Sequence, residues 1–173
     1  MYELDYVECL IQRKQSSLYT FLKYLFGLLA VLCLLFSFAG QMMGPLVMFG
    51  MLALAVVFGI GAYWMHLNSN IEYEYQYCEK EITIDRILNK SKRKRVGKYE
   101  IERMDAFGPV ASYHLDEYKN KNYKEQDYGD GEISKPDTRY ALYYDGREKL
   151  IMNPDEKLIA AVYAVAPRKT FKD

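Results

Sequence analysis

Apolar and polar positions follow different periods in different stretches of the chain. From Tyr24 to Ile71, 48 residues pass without one Asp, Glu, Lys or Arg. A hydrocarbon core needs about 20 apolar residues per helical crossing, so this run holds two. The first span is predicted from about Leu18 to Ala39, with Lys23 close enough to one end to snorkel. The second runs from about Leu46 to Leu67, and Gly40-Gln41-Met42-Met43-Gly44-Pro45 between them reads as a tight turn. Tyr19, Tyr24, Tyr63 and Trp64 lie at the end of the pair opposite that turn, where an interfacial aromatic belt belongs. The prediction is a transmembrane helical hairpin over residues 18–67, preceded by a segment, 1–17, in which Val7, Leu10 and Ile11 recur at helical spacing. A short amphipathic helix on the membrane surface and a frayed tail both fit that segment.

After Asn70 the period changes to two. Ile71, Tyr73, Tyr75 and Tyr77 alternate with Glu72, Glu74 and Gln76, the pattern of a strand with one wet face. Glu79-Lys80 makes a turn, Ile82 and Ile84 mark a second strand, a very basic segment follows, and Ile101 to Phe107 supplies another strand. From Tyr113 to Arg139 the pattern dissolves: 12 of 27 residues are charged, which predicts a mobile insertion. Tyr113, Tyr118, Tyr123 and Tyr128 recur every five residues there, a spacing of neither helix nor strand that reads as incidental. Tyr140 to Tyr144 and Glu148 to Met152 flank Asp145-Gly146, a hairpin signal. Asn153 as cap, Pro154 at the first position and a stripe of Leu158, Ile159, Val162 and Val165 predict a closing helix stopped by Pro167. The expected fold class is α+β: a helical hairpin, then an antiparallel β meander or barrel over residues 70–173 with a C-terminal helix.

Charge sets the orientation and narrows the chemistry. Arg13 and Lys14 precede the first span, Lys23 sits close to its start, and Lys80 and Arg86 follow the second, whereas the turn between them is uncharged. The positive-inside rule then puts both termini in the cytoplasm. A cleaved signal peptide ending near Ala39 is the rival reading, disfavoured by a long leader that carries Glu3, Asp5 and Glu8. No carboxylate or arginine lies at membrane depth, which argues against a proton or ion pathway. Ala55 and Gly59, four apart, read as a packing site of the hairpin. His66 and His114 have no partner at metal spacing, and Cys9, Cys33 and Cys78 read as free thiols. No catalytic motif or phosphate loop occurs, so neither an enzyme, a cofactor nor a metal is expected. Beyond Asn68 there are 20 basic and 20 acidic residues, without the net basic field that nucleic acid would need.

A meander closed by one C-terminal helix is the order of pleckstrin-homology domains. IEYEYQYCEKEITIDRILNKSKRKRVGKYEIERMDAFGP with YALYYDGREKLIMNPDEKLIAAVYAVAPRK resembles a bacterial family, known as a domain of unknown function. Its members are small Gram-positive membrane proteins with a two-helix anchor and a PH-like cytoplasmic domain. The resemblance covers nearly the whole chain and implies a multi-pass protein of the bacterial cell membrane.

The basic run Lys90, Lys92, Arg93, Lys94, Arg95 and Lys98 is the candidate site. A strand leaving the membrane at Ile71 rises roughly 20 Å and the next returns as far, so the run is expected near the inner leaflet. Each cation there can add about 1 kcal/mol of attraction to anionic headgroups. The competing reading is a solvated strand balanced by Glu100, Glu102 and the acidic insertion. Tyr73, Tyr75, Tyr77, Tyr140, Tyr143 and Tyr144 are read as half-buried packing rather than a sugar- or peptide-binding face. The expected function is non-enzymatic: a membrane protein whose PH-like domain binds a protein partner or anionic lipid, with an accessory subunit of a larger membrane complex as the alternative.

Overall fold

The computed structural model describes residues 6–42, 44–132 and 138–172. Earlier expectations for Glu3 and Asp5, for Met43 in the turn and for residues 133–137 of the insertion lie outside these. The chain divides into two units, Gln15–Ile71 and Met1–Lys14 with Glu72–Asp173.

The first unit is a pair of helices, α1 (Ser17–Ala39) and α2 (Pro45–Ser69). At 1.5 Å per residue each exceeds the roughly 30 Å of a hydrocarbon core. Both are apolar along their length and little of either is buried, so both are long and apolar enough to cross a membrane. A 3-10 turn over Gly40–Met42 follows α1, and Gly44 adopts φ +114° before Pro45 starts α2. That left-handed backbone suits glycine alone. The helices pack through Phe26 and Phe58, whose rings lie 6.0 Å apart, and Ser37 Oγ donates to the Met48 carbonyl at 3.1 Å. The expected Ala55/Gly59 packing site is half right. Ala55 is buried, but Gly59 faces open space, and it is Gly61 that lies against Phe26.

The first described element of the second unit is a strand, which corrects the amphipathic-helix and frayed-tail readings. β1 (Tyr6–Gln12) runs antiparallel to β2 (Ile71–Cys78), with Val7 opposite Tyr77 and Ile11 opposite Tyr73. Val7 and Cys9 are buried while Tyr6 and Leu10 are exposed, a period of two. Val7 and Ile11 suit either period, and a partner strand some sixty residues away decides. β3 (Glu81–Leu88) and β4 (Lys92–Glu100) complete a sheet of order β1-β2-β3-β4. Both of its tight turns use paired left-handed residues, Glu79-Lys80 and Asn89-Lys90, the mirror-image geometry that matches strand twist.

The other sheet contains β5 (Met104–Pro109), β6 (Lys124–Asp127), β7 (Tyr140–Tyr144) and β8 (Glu148–Met152), in the order β5-β7-β8-β6. Its start is displaced from expectation, because Ile101–Arg103 forms a 3-10 turn. β6 pairs with β8 in parallel, so the meander is not wholly antiparallel, and the sheets are not closed into a barrel. Tyr75, Ile82, Ile84, Phe107, Tyr143 and Leu150 are among the core side chains, each worth about 1.5–3 kcal/mol of apolar burial. The closing helix α4 (Glu156–Val165) buries Leu158, Ala161 and Val162. Its cap is Asp155, whose Oδ1 accepts from the Leu158 amide at 2.8 Å, and not Asn153.

Asn153 has another task, which accounts for the second correction. Its Nδ2 donates to the Thr138 carbonyl at 3.0 Å and its Oδ1 accepts from the Asp130 amide at 3.0 Å. Tyr75 Oη donates to the Tyr128 carbonyl at 2.7 Å, and Arg13 donates to the Asp127 carbonyl at 3.0 Å. The segment expected to be a mobile insertion thus carries a 3-10 turn (Tyr113–Leu115), α3 (Asp116–Lys119) and β6. Its tyrosines are not incidental. Tyr118 and Tyr123 pack on Tyr143 with centroids 5.2 and 5.0 Å away, Tyr128 meets Tyr73 at 5.5 Å, and only Tyr113 stays exposed. Single anchors, widely spaced, hold a polar segment without giving it a period.

Candidate functional site

The basic run occupies the β3–β4 turn and β4, an edge strand of its sheet. Alternation along β4 sorts its cations onto two faces. Arg93 and Arg95 lie over the face that carries the carboxylates of β2 and β3. Arg93 contacts Glu74 Oε2 and reaches Asp85 Oδ2 at 4.0 Å, and Arg95 Nε meets Asp85 Oδ1 at 3.5 Å. From the turn, Lys90 reaches Glu72 at 4.0 Å, and Lys98 meets Glu81 Oε2 at 2.7 Å. Glu72, Glu74 and Asp85 are all buried. Buried carboxylates need partners, and the long basic side chains supply the charge while their stems cover the face.

Lys92 and Lys94 point the other way, opposite Leu88 and Arg86. Both are exposed, and neither forms a hydrogen bond or ion pair among the described residues. Four of the six candidate cations are therefore joined to carboxylates and two are free. The competing reading of a solvated strand drew the balancing charge from Glu100, Glu102 and the insertion. It comes instead from neighbouring strands, and Glu102 pairs with Lys80 at 3.3 Å. Burial and the adjacent Glu8 push the Glu74 carboxyl above its usual range, while hydrogen bonding to Glu74 lowers that of Glu8.

A second feature escaped the sequence. A cleft of about 400 Å³ opens between the far end of β4 and the β7–β8 turn, lined by Lys98, Tyr99, Arg103, Tyr144, Arg147 and Glu148 among others. Tyr99 meets Tyr144 edge-on at 5.1 Å, and Arg103 lies 5.5 Å over the Tyr144 ring while pairing with Asp145 at 2.9 Å. Gly97 is required here, since a Cβ would collide with the Tyr99 ring. Burial drives the Tyr99 hydroxyl well above the phenolic range. The exposed Arg147 side chain has no partner among the described residues, so the cleft offers one free guanidinium beside two aromatic rings. Two stretches of chain, residues 97–103 and 144–148, build it, and only the Asp145-Gly146 turn left a linear trace.

The core reading of the tyrosines holds, with Tyr73, Tyr75, Tyr77 and Tyr143 buried. His114 stacks on Phe171 at 4.5 Å, a packing role. One unit of two apolar helices and another of two β sheets with a C-terminal helix make this an α+β chain with a PH-like module and a candidate two-helix anchor. The family model described as Bacterial PH-like domain (DUF6106) matches residues 3–172, and the chain belongs to that family. Neither the curated proteins nor the solved structures yield a match.

Proposed function

We propose that this is a non-enzymatic protein of the bacterial cell membrane. Its two helices cross the bilayer, both termini are cytoplasmic, and its PH-like domain binds a protein partner. The supporting observation is the internal neutralisation of the basic run. Six free cations would give about 6 kcal/mol of attraction to anionic lipid at about 1 kcal/mol each, whereas the two unpaired ones give about 2. The apolar helices already suffice to hold the chain in a bilayer, which leaves the domain's surface available to a partner.

Lipid contact through Lys92 and Lys94 is the second reading. It is favoured because these lysines sit at the end of the sheet where the chain leaves for α1 after Gln12 and returns at Ile71. In-cell cross-linking tests the proposal, with a photoreactive residue placed in turn at Lys94, Tyr113, Arg147 and Tyr163 of the full chain. Discrete protein adducts at one or more positions are the expected result. Lipid adducts at position 94 with protein adducts at none would overturn it.

A further inference from the structure

Among the described residues, no strand lies beside the outer edge of β4. β4 ends the order β1-β2-β3-β4, and among the described residues no other strand pairs with it and no turn, loop or cap hydrogen bond reaches its backbone. A strand edge is a row of unpaired N–H and C=O groups, which an extended peptide can complete. The side chains flanking that row then decide what is admitted.

We infer that β4 receives an extended acidic segment of a partner protein, with Glu or Asp at alternate positions, as an added strand. This rests on the partner-binding reading above and names the partner's chemistry. In a strand laid beside β4, every second side chain falls on the face of Lys92 and Lys94, the two cations of the basic run with no partner among the described residues. Opposite charges in neighbouring strands attract, and like charges repel. The intervening side chains fall on the face of Arg93 and Arg95, already joined to Glu74 and Asp85, so uncharged residues suit those positions. A bulge where Ile84 pairs with Gly97 and Asp85 with Arg95 interrupts the regular ladder. The clean docking stretch is therefore Lys92–Arg95. Charged edges also guard against self-association, and this one repels a second copy of itself, basic strand against basic strand. The repulsion that excludes a second copy becomes attraction for an acidic segment.

The test uses the full chain in nanodiscs of neutral lipid and a fluorescent peptide alternating Glu with Thr. A second peptide carries Pro at a central Thr, and a third has Lys in place of Glu. The expected result is saturable binding of the first peptide, with slowed amide exchange confined to β4, and binding at least tenfold weaker with the proline peptide. Lys92→Glu with Lys94→Glu is expected to lose the acidic peptide by tenfold or more and to gain the lysine peptide. Equal binding of the proline peptide would overturn the inference, because charge alone would then account for the attraction. So would absent binding, or binding that the double variant leaves unchanged. Protein adducts at Tyr113, Arg147 or Tyr163 but not at Lys94 would leave partner binding standing and remove the edge.

Discussion

Replacing Arg93 with Ala tests whether the basic strand is structural. The guanidinium touches Glu74 and lies 4.0 Å from Asp85, carboxylates whose side chains are 2% and 6% exposed. A unit pair near 4 Å at an effective dielectric of 20 amounts to about 4 kcal/mol before desolvation. Stripping a buried charge of its partner costs about 3–5 kcal/mol. Arg93 itself is 53% exposed, so solvent screens much of the attraction, and Asp85 keeps Arg95. The remainder, about 2 kcal/mol, falls on Glu74, and for a unit of this size it lowers the melting temperature by about 5–10 °C. Circular dichroism of the full chain in detergent measures it, with Lys94→Ala as the control at no more than about 0.5 kcal/mol. Adding Glu74→Gln to Arg93→Ala should restore at least half the loss, since a neutral amide needs no cation.

The pH dependence of that deficit has a definite sign. Burial and Glu8 raise the folded-state Glu74 pKa above its unfolded value. Its contribution is therefore fully present below the unfolded pKa and lost as pH rises through the folded one. The Arg93→Ala deficit should accordingly shrink as pH falls from neutral toward that range. Equal losses in Arg93→Ala and Lys94→Ala, or a deficit that ignores pH, would refute the structural role.

Other expectations concern the core. Val7→Asp should cost more than about 3 kcal/mol, and Leu10→Asp less than about 1, because only Val7 is buried; equal costs would favour a helix over β1. Gly97→Ala should cost about 1–3 kcal/mol by displacing the Tyr99 ring, and almost nothing in a Tyr99→Ala background. Two additive losses would contradict that contact. Burial pushes the Tyr143 hydroxyl up to about 12, so it should remain un-ionised in the native state at pH 11. Its stabilising share is present below the unfolded phenolic pKa of about 10 and lost as pH rises toward 12. Ultraviolet titration showing every tyrosine ionised by pH 11 in folded protein would contradict this.

The helices were legible because a long neutral run admits few other readings, and their bounds moved by no more than two residues. The β7–β8 hairpin was legible from Asp145-Gly146. β1 was not, since seven residues with Val7 and Ile11 four apart satisfy helix and strand alike, and the burial of Cys9 and exposure of Leu10 separate them. Leu115 and the tyrosines of the segment after β5 each bury one side chain at a time, below what any period reveals. Glu72 and Glu74 alternate as a wet face should, yet both are buried. Basic side chains some twenty residues later cover them, a pairing that needs the fold of β3 and β4 to be visible. The basic run is visible as charge along the chain, whereas its carboxylate partners on β2 and β3 are not.

Amide hydrogen exchange across β4 gives the most direct test, with the full chain in nanodiscs of neutral lipid and in discs about one-third anionic. A strand whose cations are held by Glu72, Glu74, Glu81 and Asp85 should exchange Lys92–Lys98 at the same rate in both. Marked slowing of those amides in the anionic discs alone, reversed by salt, would contradict the account and make the strand a lipid reader.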